Sequence, residues 1–192
     1  MPRVCILTDS TAQFPAPLFP GSELVNVIPL HVLFNGRMYT DGKDLRAVHL
    51  PASVTDNSLV QPLAPSPEEF LQMFASLGKR YHEIVAILIS SHLSPTVAHA
   101  QEAAMSGKGH AIIHIVDSQT TAVGLGLLVQ IAARAAQSGD SGNRINRLVR
   151  GLIPRIYTVF CLHNLTYLYR SGYLDPAQAI IGEMLGVNPF FI

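Results

Sequence analysis

Three short apolar runs govern what this chain can become. RVCILT (3–8) and AIIHIVDS (111–118) are mainly apolar and IVAILI (84–89) continuously so, and each run breaks off in Ser, Thr or Asp. A run of about four to eight such residues marks a strand buried on both faces, and strands of that kind form parallel sheets covered by helices on either side. Helix-length stretches follow the second and third runs. The chain therefore reads as α/β, with a mainly parallel, Rossmann-like sheet.

The rest of the chain fits around that sheet. VNVIPLHVLF and RMYT flank Asn35-Gly36, a strong hairpin signal, and Asp41-Gly42 then turns the chain away. This N-terminal β-hairpin is an excursion from the parallel sheet. Residues 50–66, rich in Pro, Ser and Asn, read as a long loop. Ser66 as N-cap, Pro67 at N1 and Glu69 at N3 predict a capping box, opening a helix that stops at Gly78 as C′. Ser94 and Pro95 predict the N-cap and N1 of a second helix, of small residues, running to about Met105. A long helix over roughly 121–137 is closed by Gly139, and a shorter one over about 143–150 ends before Gly151 and Pro154. IYTVFCL (156–162) reads as a strand, NLTYLYR as a short helix stopped at Gly172, and Asp175-Pro176 opens a last helix stopped at Gly186. The closing NPFFI reads as the first residues of a strand. A change of style near residue 152 divides the chain into an α/β domain over 1–151 and the start of an incomplete second α/β domain over 152–192.

Composition narrows the function. Of 192 residues, 48% are hydrophobic and 14% charged, which is ample core material under a sparsely charged surface. Thirteen basic and 13 acidic side chains cancel, so the basic footprint of a nucleic-acid binder is missing. No apolar stretch is long enough to span a bilayer, and MPRVCILTDS reaches an Asp too soon for a signal peptide. Cys5 and Cys161 lie on separate predicted strands without a motif and read as thiols of a reducing cytoplasm. The eight histidines are scattered, only His110 and His114 lying close, so no metal site is expected. There is no G-x-S-x-G elbow and no G-x-x-x-x-G-K loop. Gly124-Leu125-Gly126 lacks the third glycine of a dinucleotide fingerprint and falls inside a helix, where it reads as a close-packed helix face.

The candidate site comes from the way the strands end. Asp9-Ser10, Ser90-Ser91 and Asp117-Ser118 each follow a predicted strand. In an open parallel sheet ligands bind outside the carboxyl ends of the strands, so these residues are expected to line one crevice. With Ser94 capping a helix, followed by Pro95 and Thr96, free backbone N–H groups would face the crevice and attract an anion. Ser94 is expected to border the largest polar-mouthed pocket. Two readings stand side by side. Ser, Thr and Asp cap strand-to-helix turns whatever the function. Three such ends with no Lys or Arg among them also suit one neutral or weakly anionic head group, since phosphate sites more often carry a cation. An enzyme would be a small-molecule phosphotransferase or hydrolase using Asp9, Asp117 and the crevice serines. Beside those serines only His92 could activate one, and it reads as a surface turn residue.

Six segments in order resemble the DegV family of bacterial fatty-acid-binding proteins. They are ILTDSTAQFP, VIPLHVLFNGRMYTDGKDL, PSPEEF, ISSHLSPTVAHA, IVDSQTTAVGLG and LTYLYRSGYLDPAQAIIGEMLGVNPF. The fourth is similar to the family's Ser-Ser-x-Leu-Ser-Gly-Thr signature. The resemblance implies a two-domain α/β protein that encloses a long-chain fatty acid such as palmitate between its domains. It presents the carboxylate to a fatty-acid kinase, as a carrier rather than a catalyst and with no cofactor. The resemblance further implies that Ser94 holds the carboxylate.

There are departures from the family pattern. The family's Thr-Ser-Gln is replaced by Pro62-Leu63-Ala64, so one of the two head-group hydroxyls, that of the motif Thr, is missing at Pro62, with Leu63 beside it. Its Gly after the signature serine is Pro95, and its Gly-Gly-Arg is Ser171-Gly172-Tyr173. The resemblance also implies that the family's C-terminal segment is absent from these residues. Magnitudes rank the losses. A palmitoyl-sized tail buries roughly 10 kcal/mol at about 0.8 kcal/mol per methylene. One hydrogen bond to a charged head is worth about 1.5–3 kcal/mol. Affinity then rests on the tail and orientation on the hydroxyls. Aromatic and aliphatic residues in 152–192, such as Tyr157, Phe160 and Phe190, lack partners within so short a domain, so self-association through this segment, or poor order in it, is expected.

Overall fold

A computed structural model describes residues 4–44, 60–107, 111–161, 175 and 190–191. Contacts divide the chain into two compact units, Met1–Leu30 with Ala64–Tyr157, and His31–Leu63 with Thr158–Ile192. The division expected at 151/152 keeps the hairpin in the first domain, whereas contacts group it with the C-terminal residues.

The first unit is built on four parallel strands, β1 (Val4–Asp9), β2 (Val25–Ile28), β6 (Glu83–Leu88) and β7 (Ile112–Asp117), in the order β2-β1-β6-β7. The two central strands are buried along their whole length, as continuous apolar runs require. Alternate side chains serve opposite faces. Cys5, Leu7, Ile84, Ala86 and Leu88 pack against α1 (Pro67–Gly78) and α2 (Thr96–Ser106). Val4, Ile6, Val85, Ile87 and Val116 pack against α3 (Ala122–Gln137) and α4 (Gly142–Leu152). The result is a three-layer α/β/α sandwich, the expected fold class. Each fully buried Leu, Ile or Phe in it contributes about 1.5–3 kcal/mol of transfer free energy.

Several helix ends follow the sequence. At α1 the Ser66 hydroxyl accepts from Glu69 N at 3.3 Å while Ser66 N donates to Glu69 Oε2 at 2.8 Å, which is the predicted capping box. Gly139, at φ 89°, follows the end of α3 as expected. Gly78 does not act as a C′ residue. It is the last residue of α1, and the chain continues right-handed through Lys79, with Arg80 N and Tyr81 N both donating to Leu77 O. Helix α4 runs past its expected end to Leu152, which packs against the same core as Ile145 and Val149, and Ile153–Arg155 adds a 3-10 turn. Pro154 is accommodated in the first turn of that element, where its missing N–H costs nothing. No described helix is long and apolar enough to cross a membrane.

In the second unit, β3 (His31–Phe34), β4 (Arg37–Thr40) and β5 (Val60–Leu63) form an antiparallel sheet in the order β4-β3-β5. Asn35 and Gly36 both have positive φ, 50° and 73°, the geometry that a two-residue hairpin selects. Two expectations are corrected here. The run VNVIPLHVLF is two strands, since Pro29-Leu30 separates β2, paired with β1, from β3. The supposed loop over 50–66 contains β5, in which Pro62 stands on an edge strand that tolerates its missing donor. A two-stranded ladder joins β8 (Phe160–Cys161) to β9 (Phe190–Phe191). IYTVFCL is therefore a strand only at its end, and Tyr157 is 77% exposed. The helices expected at NLTYLYR and after Asp175, and most of the loop before β5, lie outside the described residues.

Candidate functional site

The connections leaving β1 and β6 go to opposite sides of the sheet, β1 leading to β2 and β6 through α2 to β7. That is the switch point at which open α/β sheets leave a crevice. The ends of β1, β6 and β7 lie side by side there, and hydrogen bonds tie each to its neighbour.

Asp9 closes β1 and is fully buried. Its Oδ2 accepts from Ile89 N at 2.7 Å, across to the end of β6. Its Oδ1 accepts from Thr11 N at 3.0 Å and from the Thr11 hydroxyl at 2.5 Å. Burial pushes the Asp9 carboxyl above its ordinary range, while the donors of Thr11 and Ile89 pull it back. Ser10 ties the same turn to β2, its N–H donating to Ile28 O and its hydroxyl accepting from Leu30 N at 3.0 Å. Asp9 and Ser10 thus bracket neighbouring strands.

Asp117 plays the same part at the end of β7. Its carboxylate accepts from Ser91 N at 3.2 Å, the Ser91 hydroxyl at 2.5 Å and Gln119 N at 3.0 Å. Ser90 is buried, donates its N–H to Thr120 O at 2.9 Å, and accepts on its hydroxyl from His92 N at 3.3 Å. Ser118 donates its N–H to Leu88 O and its hydroxyl to Thr120 O at 3.0 Å. His92 is exposed, in keeping with a surface turn.

Ser94 departs from its expected role. Helix α2 starts at Thr96 with Pro95 as N-cap, and no side chain among the described residues caps it. A proline before the first helical residue offers no side-chain acceptor, so the first N–H groups of α2 are left for another partner. Ser94 N donates to Ser90 O at 3.1 Å, and the Ser94 and Thr96 hydroxyls meet at 2.7 Å. Ser94 is half-buried and Thr96 fully buried. Pro62 and Leu63 stand on β5 of the other unit, paired with Val32 and His31.

Sequence reasoning missed Thr11 and Thr120, which supply a hydroxyl, an N–H and a carbonyl to this network. The Asp-x-Thr spacing after β1 is the signal for Thr11, because an aspartate accepts from the N–H two residues on. The contact of Thr120 with Ser90 is tertiary and leaves no local trace. The structure also places a cavity of about 420 Å³ away from the strand ends. Leu71, Phe74 and Ala75 of α1, Ala103 and Ala104 of α2 and Ile113 of β7 line it, and no predicted site residue does, Ser94 included.

Comparison with known proteins places the chain. The family model described as an uncharacterised protein, DegV family, matches residues 3–191. A DegV domain-containing protein of Caldanaerobacter subterraneus subsp. tengcongensis is 34% identical over 190 residues, covering 98% of this chain and 67% of the relative. Among solved structures, a fatty-acid-binding DegV family protein from Thermus thermophilus superposes with a TM-score of 0.83 at 29% identity, over 98% of this chain and 66% of that one. DegV from Bacillus subtilis, a fatty acid binding protein, gives 0.81 at 27% identity, over 99% and 67%. The chain thus spans about two thirds of the length of these proteins. From the family match over nearly its whole length, and from the fold it shares with these structures, the chain belongs to the DegV family.

Proposed function

We propose that this chain binds a long-chain fatty acid such as palmitate and presents the carboxylate to a partner acyl kinase in the cytoplasm, as a carrier and not a catalyst. The observation that carries the reading is the start of α2. There a half-buried Ser94 hydroxyl stands beside a helix end that no side chain among the described residues caps, in a fold shared with two fatty-acid-binding proteins. A helix N-terminus with open N–H groups favours a carboxylate. The carrier reading is also supported by the state of the two aspartates that an enzyme would need. Asp9 is sealed from solvent with three donors on it, and Asp117 is engaged by Ser91 and Gln119.

Mass spectrometry of organic extracts of the purified protein tests the ligand. Recovery of a long-chain fatty acid is expected, and recovery of a nucleotide without lipid would refute the reading. Ser94→Ala should weaken palmitate binding by about 1–3 kcal/mol. Presentation is tested with an acyl kinase and ATP, where acyl phosphate should form from palmitate carried by this chain. Failure to form it with bound lipid would leave a binder without that partner. We also propose self-association through residues 152–192, for which the exposure of Tyr157 (77%) and Val159 (59%) is the support. Light scattering showing a monomer at high concentration would end that proposal.

A further inference from the structure

The Ser94–Thr96 hydroxyl pair carries an inference about what the site selects. At 2.7 Å one hydroxyl must donate to the other, and either atom could do so. Burial decides between them. Thr96 is fully buried, and its hydroxyl meets one partner among the described residues, Ser94 Oγ. Were Ser94 the donor, the Thr96 proton would be left buried with no acceptor, at the full cost of desolvating it. With Thr96 as donor, its proton is satisfied on Ser94 Oγ, and the Ser94 proton is free to leave the pair. Ser94 is half-buried and can offer that proton to a ligand.

We propose that Thr96 is a positioning residue that fixes the Ser94 hydroxyl as an outward donor, so that the site favours head groups that accept hydrogen bonds, a deprotonated carboxylate above all. The proposal rests on the lipid reading. A chain of two donors, Thr96 O–H to Ser94 O–H to carboxylate oxygen, also polarises each link and strengthens the outer one. Thr96 itself, buried behind Ser94, touches no ligand. A cationic head group, which brings only donors, could reach the second lone pair of Ser94 Oγ but would leave unused the proton that the pair frees.

Calorimetric titration with palmitate and with hexadecylamine tests this on the full chain, comparing the unsubstituted protein with Ser94→Ala, Thr96→Val and the double variant. Thr96→Val should weaken palmitate binding about five- to tenfold. It should also narrow the preference for palmitate over hexadecylamine. In the Ser94→Ala background Thr96→Val should have no further effect, because Thr96 acts through Ser94. Thr96→Ser should restore affinity to within about twofold, since it keeps the hydroxyl. Independent, additive losses from the two substitutions, or an unchanged preference between the two lipids, would overturn the relay while leaving lipid binding in place. No binding by the unsubstituted protein would overturn both. Should Thr96→Val not fold, Thr96→Ala completes the same cycle.

Discussion

Ser91 and Asp117 join the ends of two adjacent parallel strands through a double hydrogen bond, N–H to one carboxylate oxygen at 3.2 Å and hydroxyl to the other at 2.5 Å. Gln119 N adds a third donor from the turn after β7. One carboxylate therefore sets the course of both the β6–α2 and β7–α3 turns. Since Ser91 is exposed, water can replace part of what a substitution removes. Asp117→Ala is expected to cost about 1–2 kcal/mol and Ser91→Ala about 0.5–1 kcal/mol. The double variant should cost less than the sum of the two, because the residues share one interaction. Urea denaturation of the three variants measures this, and strict additivity would show that the pair is not energetically coupled.

Asp9 gives a pH dependence whose sign follows from its burial. Its carboxyl is raised above the ordinary value of 3.8, with desolvation as the largest cause. The unfolded chain loses this proton first as pH rises. Across the window from about 3.8 up through the raised folded value, the native state holds more protons, so this residue's contribution to stability declines with increasing pH. Asp9→Asn removes that slope. It also turns an amide N–H₂ toward N–H donors, at an expected cost of about 1–3 kcal/mol. Denaturation of both proteins at a series of pH values should show the gap between them narrowing as pH rises. A gap that widens would mean that the Thr11 and Ile89 donors outweigh desolvation and that the carboxyl is held ionised.

Local chemistry made much of this legible. The Ser66–Glu69 capping box needs only residues three apart, and the Asn35-Gly36 turn needs only a left-handed backbone at two positions, so both could be read directly from the sequence. The meeting of Asp9, Ser90 and Asp117 follows from burial of their strands, because a continuous apolar run leaves its first polar residues at the strand end. What could not be read depends on partners distant in sequence. Strand β5 carries Pro62 in a Pro- and Ser-rich stretch, and its identity comes from pairing with β3. The start of α2 falls at Thr96 because the Ser94 N–H is taken by Ser90 O and its hydroxyl pairs with that of Thr96, a competition that a motif cannot show. The functional roles of the site residues came from resemblance; the residues alone left capping and binding open.

Cys5 provides a probe of the central strand. Burial pushes its thiol from 9.0 up to about 12. A protonated, fully buried sulfur neither attacks disulfides nor reaches a reagent. In a Cys161→Ser background, reaction of Cys5 with an aromatic disulfide at pH 8 should proceed only as fast as the chain unfolds, and should accelerate with urea in step with denaturation. The unfolded thiol ionises near 9.0 and the folded one near 12, so stability should also fall as pH rises between those values. Rapid labelling in the absence of denaturant would show that β1 opens without global unfolding.

Two helical glycines that look alike in sequence should respond in opposite ways to the same substitution. A Cβ on Gly126 of α3 would lie 1.9 Å from the carbonyl oxygen of Gln13 and 2.8 Å from its carbon. Those are backbone atoms of the turn after β1, whose Gln13 N–H donates to Ala122 O at 3.1 Å, so they cannot swing aside as a side chain would. A Cβ on Gly151 of α4 would meet nothing within 4 Å. Replacing either glycine by alanine removes backbone freedom from the unfolded chain and improves helix propensity, worth about 0.5–1 kcal/mol. At Gly151 that gain stands alone, and Gly151→Ala should raise stability by about that amount. At Gly126 it is set against a forced separation of α3 from the β1 turn, an overpacking cost of about 1–3 kcal/mol or more. Gly126→Ala should therefore be destabilising by about 1–2 kcal/mol net. It should also disturb the strand-end network, since the displaced turn begins at Asp9 and Thr11. Thermal and urea denaturation of the two variants, run side by side, decide the matter: a stabilised Gly126→Ala protein would mean that the turn yields without cost, and that the close approach of Gln13 to α3 does not hold the end of β1 in place.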